Sequence, residues 1–228
     1  MNKHNDARDK LSLTAQMLAV LKRSLLDSLK ESHVDLKRDD FIWHYLLQSF
    51  ATLGGISGWD GLIDNKTNYQ KMSYKTINDL PAAQRIKHIS TVLKDAKVRY
   101  PNRKAPNIVA CFEKIQAFGG LIPTRDSLLE QAGRDAKISF LKSFPGIGDK
   151  YARNIMMDVY HEDFRESIAI DSRIKGISSK WDLKFPKYAD HEAFYLGVAK
   201  KARLNGWELD RLMFRFQSVF YPPISMDD

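Results

Sequence analysis

Apolar residues recur at intervals of three and four along almost the whole chain, and no run alternates with the two-residue period of a half-buried strand. The stripe Leu18, Leu21, Leu25 and Leu29 predicts one long amphipathic helix over 11–31. Asp39 and Asp40 are placed to cap a second, very apolar helix over 41–51, which ends at Gly54-Gly55 and runs into the loop Ile56-Ser57-Gly58-Trp59. Pro81 opens a helix over 81–100 with Ile86, Ile89, Leu93 and Ala96 on one face. A turn at Pro101-Asn102 leads into a helix over 106–118, closed by Gly119-Gly120. Thr124 is placed to cap a short helix over 125–132, and helices follow over 135–144 and 149–160. The stretch 164–170 is irregular, Asp171 stands where a new helix begins, and two last helices cover 190–204 and 207–220. The expectation is an all-α fold of about ten helices with short connections. No repeat, low-complexity segment or Pro/Gly-rich linker interrupts the pattern, so residues 1–228 read as a single domain, with room for two helical lobes around a groove.

Composition adds a partner class. Lys and Arg outnumber Asp and Glu by 36 to 28, a net charge of +8. A surplus of that sign favours a polyanion, because Lys and Arg on phosphate release condensed counterions. The single cysteine, Cys111, leaves no disulfide within the chain and no cysteine-ligated cluster, and its apolar surroundings Ile108-Val109-Ala110-Cys111-Phe112 predict buried packing. The six histidines are scattered without ligand-like spacing, so no metal and no other cofactor is expected; His161 reads as a cap or a surface residue. The polar start lacks the apolar core of a signal peptide, and no apolar run reaches the length of a membrane span. These features predict a soluble protein without membrane contact, cytoplasmic (nucleoid-associated if bacterial) or nuclear.

The chemistry-bearing stretch is Leu141-Lys142-Ser143-Phe144-Pro145-Gly146-Ile147-Gly148-Asp149-Lys150-Tyr151-Ala152-Arg153-Asn154. Two apolar helical segments, within about 136–160, flank a turn with Gly146 and Gly148 at its sharp positions. Glycine permits positive φ and a close approach to another molecule. The following helix opens with free N–H groups and the positive end of its dipole, a geometry that binds phosphate. An ordinary helix–turn–helix corner uses the same pattern for sharpness alone.

Phe144-Pro145-Gly146-Ile147-Gly148-Asp149-Lys150 followed by Ala169-Ile170-Asp171-Ser172-Arg173 resembles the helix-hairpin-helix base-excision DNA glycosylase superfamily. The resemblance is concentrated in residues 141–175. It implies two lobes about a DNA-binding groove, with the hairpin holding the DNA backbone. It places Lys150 as the amine nucleophile of members that also cleave the strand, and Asp171, 21 residues on, as the essential carboxylate. A carboxylate stabilises the positive charge that builds on the anomeric carbon when an N-glycosidic bond breaks. An unprotonated lysine amine can then form a Schiff base that permits β-elimination of the 3′ phosphate. The resemblance implies a monomeric enzyme acting on double-stranded DNA that contains a damaged base or an abasic site.

One cysteine excludes the iron–sulfur branch named for endonuclease III. The chain is more similar to cluster-free branches such as the 8-oxoguanine and alkyladenine glycosylases. Arg173 stands where many members carry His, and Asp149 puts a carboxylate beside the expected phosphate site. Lys142, Arg153 and Arg173 join Gly146 and Gly148 as candidate DNA contacts, and Leu46 to Thr52 resembles the family's helix-to-wedge element, which places Phe50 and the loop 50–58 against DNA. Trp43, Phe50, Trp59, Trp207, Phe214 and Phe216 are candidates for stacking on an extruded base. The stretch Glu208 to Phe214 resembles the closing helix of some oxidised-guanine glycosylases. Each residue also has a plainer role: Lys150 as a solvated first-turn lysine, Asp171 as a helix cap, the aromatics as core. A glycosylase without lyase activity and a non-enzymatic DNA-binding module remain open beside the bifunctional reading.

Overall fold

The computed structural model describes residues 3–31, 36–53 and 57–222. It is helical as expected: thirteen α-helices and no strand occur among the described residues. The chain divides into two units, one formed by Asp35–Ile155 and the other by Met1–Val34 together with Met156–Asp228.

The continuous unit is built on α3 (Phe41–Thr52). Phe41, Ile42, Trp43, Tyr45, Leu46, Leu47 and Phe50 are all buried, so α3 is apolar over most of its circumference, leaving one half-buried polar stripe of His44, Gln48 and Thr52. Asp40 occupies its N-cap position but makes no side-chain cap. Its carboxylate instead takes a two-point ion pair from Arg38 and a hydrogen bond from the Tyr69 hydroxyl. At the other end the buried Lys104 donates to the carbonyls of Phe50 and Leu53, each at 2.8 Å, satisfying acceptors that the helix leaves open. Burial pulls the Lys104 ammonium down to about 8.

Residues 57–80 hold more structure than the pattern predicts: a π-helical turn at Trp59–Ile63, then α4 (Lys66–Lys71) and α5 (Tyr74–Asp79). Asn65 and Ser73 cap these short helices by accepting from Asn68 and Thr76 backbone N–H groups. Helices α6 (Ala82–Asp95) and α7 (Pro101–Ala117) form a pair, and α7 starts five residues before the expected Pro106. The expected Thr124 cap is also corrected, because Thr124 lies inside α8 (Leu121–Leu129), where its hydroxyl donates to the Gly120 carbonyl. Helix α9 (Gly133–Lys142) leads to the hairpin turn, and the boundary between units falls inside α10 (Asp149–Asp158).

In the other unit, the predicted long first helix is two helices, α1 (Lys3–Leu21) and α2 (Arg23–Lys30). Lys22 breaks the register with φ −121° and ψ 24°, so Leu21 is 66% exposed while Leu26 is fully buried. Re-phasing at Lys22 is what lets α2 bury a leucine off the stripe read from the sequence. Helix α1 buries Ala7, Leu11, Ala15 and Leu18 and packs on α12 (Tyr188–Lys201) and α13 (Gly206–Arg215). Asn205 and Glu208 form a capping box at the start of α13, and Glu208 also accepts from Lys30 and Arg23. Helix α11 (Ser172–Lys180) completes the set.

Candidate active site

The hairpin lies in the continuous unit. Phe144 and Ile147 are buried, and the Ile147 N–H bonds back to the Phe144 carbonyl, which closes a tight turn between α9 and α10. Gly146 has φ +86°, and a Cβ there would meet the Phe50 ring at 2.8 Å and the Asn107 amide at 3.1 Å. Glycine is therefore required twice, by conformation and by space. Behind the turn, the Cys111 thiol donates to the Pro145 carbonyl at 3.4 Å, and Lys114 donates to the Ser143 carbonyl. Cys111 is buried as expected, and burial pushes its thiol up to about 12.

Phe50 is the first correction. It is 2% exposed and forms the floor under Gly146, so it supports the turn from inside and offers no surface to DNA. The expected wedge loop that follows it falls partly on 54–56, outside the described residues. Arg153 is the second correction. Its side chain is 9% exposed and donates to the Asp149 carbonyl at 3.0 Å, so it packs along α10. At Gly148 only the expected sharp conformation is corrected, because it lacks positive φ and a Cβ built there meets nothing within 4 Å, while its backbone stays exposed. The two glycines thus separate cleanly in experiment. Gly146→Ala is expected to destabilise the protein by about 1–3 kcal/mol through strain and overpacking. Gly148→Ala is expected to keep the thermal midpoint but weaken duplex binding, if its exposed backbone is what a phosphate approaches. Paired thermal melts and duplex titrations check both.

Lys142 and Asp149 face each other across the turn at 2.8 Å. The hydrogen bond from Lys142, backed by its charge and that of Arg153, holds the Asp149 carboxyl below its ordinary range. The acidic residue at the expected phosphate site is therefore ionised and compensated by two cations. Lys150 follows in the first turn of α10, half-buried, with its ammonium 4.0 Å from the centre of the Tyr151 ring.

Asp171 and Arg173 lie in the other unit. Asp171 caps α11: its Oδ1 accepts from the N–H groups of Arg173 at 2.8 Å and Ile174 at 2.9 Å. Its Oδ2 faces the Arg173 guanidinium at 3.5 Å, with the side chain 16% exposed. Capping does not use up the carboxylate; it fixes one oxygen and thereby the direction of the other. Arg173 in turn lies over the exposed Phe214 ring at 4.0 Å. Among the aromatics named for base stacking, Trp43, Phe50 and Trp207 are core residues, and the Trp207 indole donates to the Met157 carbonyl. Phe214 is exposed, while Trp59 and Phe216 are half-buried. His161 caps the short 3-10 turn Glu162–Phe164 by accepting from the Asp163 N–H.

Sequence reasoning missed what precedes Asp171. Residues 167–170 lie in no helix, strand or turn, yet the N–H groups of 168–170 are all hydrogen-bonded. The Ile168 N–H donates to Glu192, the Ala169 N–H to Asp210 and the Ile170 N–H to the Tyr188 hydroxyl, which itself donates to the Ile168 carbonyl. Successive N–H groups of an extended chain point to opposite sides. Accordingly 168 and 170 are met from α12 and 169 from α13. Gly206 lets α13 come this close, since a Cβ would stand 2.8 Å from the Ser167 nitrogen. Glu192 and Asp210 are 4% exposed. The sequence carries no signal that separates them from exposed helical carboxylates.

No protein-family model and no curated protein sequence matches the chain. Two solved structures share its fold. The 8-oxoguanine DNA glycosylase of Thermotoga maritima superposes with a TM-score of 0.69 at 14% identity, covering 91% of this chain and 95% of that one. The 8-oxoguanine DNA glycosylase of Methanocaldococcus jannaschii gives a TM-score of 0.70 at 16% identity, covering 95% of this chain and 98% of that one.

Proposed function

We propose that the protein is a DNA glycosylase that releases a damaged base from double-stranded DNA and then cleaves the strand as an abasic-site lyase, acting as a monomer. The observation that carries this reading is the Pro145-Gly146-Ile147-Gly148 turn with Lys150 and Asp171 in order behind it, on a fold shared with two 8-oxoguanine glycosylases. Support comes also from the way the turn is built. Phe50, Asn107 and Cys111 hold it from inside, which leaves the Gly148 backbone exposed toward solvent.

In the proposed reaction the Lys150 amine attacks the anomeric carbon, the bond to the base breaks, and the base leaves with a proton. The Asp171 carboxylate stabilises the positive charge on the sugar as that bond stretches. The amine then gives up a proton while the C1′–O4′ ring bond breaks and O4′ takes up a proton, which yields a Schiff base, and removal of a 2′ proton expels the 3′ phosphate. Hydrolysis of the Schiff base returns Lys150. The substrate class to which the structural counterparts point is an oxidised guanine. Duplexes carrying 8-oxoguanine, an alkylated adenine, uracil or only normal bases, assayed for free base and for nicked strand, test the reading. Release from the oxidised-guanine duplex is expected. Tight duplex binding with no base released from any of them would make the protein a binding module and overturn the proposal.

A further inference from the structure

The segment that delivers Asp171 has no sheet to lie in, so three side chains take the place of neighbouring strands. We propose that Asp210, with Glu192 and Tyr188, is a positioning residue for Asp171: together they fix the extended backbone of 168–170 and so set where the carboxylate points. This inference rests on the glycosylase reading and adds residues to its machinery.

The geometry distinguishes positioning from ordinary packing. The three groups take three consecutive backbone N–H groups, at 3.1, 2.8 and 2.9 Å, with no residue skipped. Tyr188 also closes a loop by donating to the Ile168 carbonyl at 3.0 Å while accepting from the Ile170 N–H, the two bonds that one residue of a parallel partner strand would make. Anchoring of the backbone ends one residue before Asp171, whose own Oδ1 is then fixed by the α11 cap. Rotation of the backbone at 169–170 would swing the carboxylate, and these contacts oppose it.

Asp210 serves this role at a cost in stability. Burial raises its carboxyl to about 6, although the neighbouring Arg211 and the Ala169 N–H pull the other way. The nearby Asp171 and Asp158 carboxylates add to the rise. Between 3.8 and about 6 the folded state therefore holds more protons than the unfolded state. Stability from this group is greatest below that window and is lost as pH rises through about 6. Asp210→Asn should remove this slope, so that the thermal midpoint of the native protein falls relative to the variant between about pH 4 and 6.

The deciding experiment is single-turnover base release alongside duplex affinity. Asp210→Ala and Tyr188→Phe are each expected to slow release by about tenfold or more with unchanged affinity, since a misplaced catalytic group loses rate without losing binding. Asp210→Asn should restore most of the rate, because its amide oxygen still accepts from Ala169. Amide hydrogen exchange at 168–170 should quicken in the two slow variants and not in Asp210→Asn. If the native protein releases base and both Asp210→Ala and Tyr188→Phe release it equally fast, the positioning role is overturned and the glycosylase reading stands. If Asp210→Ala does not fold, Tyr188→Phe decides alone. A native protein that releases no damaged base overturns both.

Discussion

Asp171→Asn is expected to slow base release by about 10²-fold or more while leaving the fold and duplex affinity in place. This side chain has two jobs. Its Oδ1 caps α11, and asparagine caps a helix about as well as aspartate. The substitution therefore removes charge and little else, so a large loss of rate reports on transition-state electrostatics rather than on a frayed helix. Asp171→Ala provides the contrast: it should lose the cap as well, at about 1 kcal/mol of stability. Base release from a damaged duplex, followed with thermal melts, separates the two. An Asp171→Asn protein with full specific activity would reduce Asp171 to a cap.

The second large effect is all-or-none. Borohydride added during turnover should reduce the Schiff base and leave a covalent protein–DNA adduct, and Lys150→Ala should form none. The variant is expected to fold, because Lys150 is half-buried and its contact with the Tyr151 ring is worth about 0.5–1 kcal/mol. Trapping at undiminished yield would move the nucleophile elsewhere. Undiminished base release without trapping would identify a glycosylase that uses water and holds DNA with Lys150.

Helices whose apolar residues repeat without interruption were legible from the chain, as α3 shows. Short helices were not: α4 and α5 lack two full turns of pattern, and their Asn65 and Ser73 caps resemble loop residues. The break at Lys22 is invisible because leucines continue through it; only packing decides that Leu26, not Leu21, turns inward. At the hairpin, the glycine pattern located the turn but could not assign conformations, and just one of its two glycines has positive φ. Phe50 was misread because an aromatic before a glycine loop looks the same whether it points out or supports a neighbouring turn. The contacts on 168–170 were unreadable for another reason. Glu192 and Asp210 resemble exposed helical carboxylates, and only the fold reveals that each faces an N–H group 24 or 41 residues away.

The path of the chain has a consequence for its synthesis. The unit Asp35–Ile155 is continuous, so every residue it needs has been made before the last third of the protein emerges. The N-terminal helices have no such opportunity. Ser12 finds its Val198 partner 186 residues later, and Lys30 finds Glu208 178 residues later. On the ribosome, at about 5–20 residues per second, α1 and α2 must wait roughly ten seconds or more for α12 and α13. Their leucine faces are open to chaperones and to other nascent chains throughout that interval. Pulse proteolysis of stalled chains should find residues 35–155 protected first and the opening helices cut until the final ones are released.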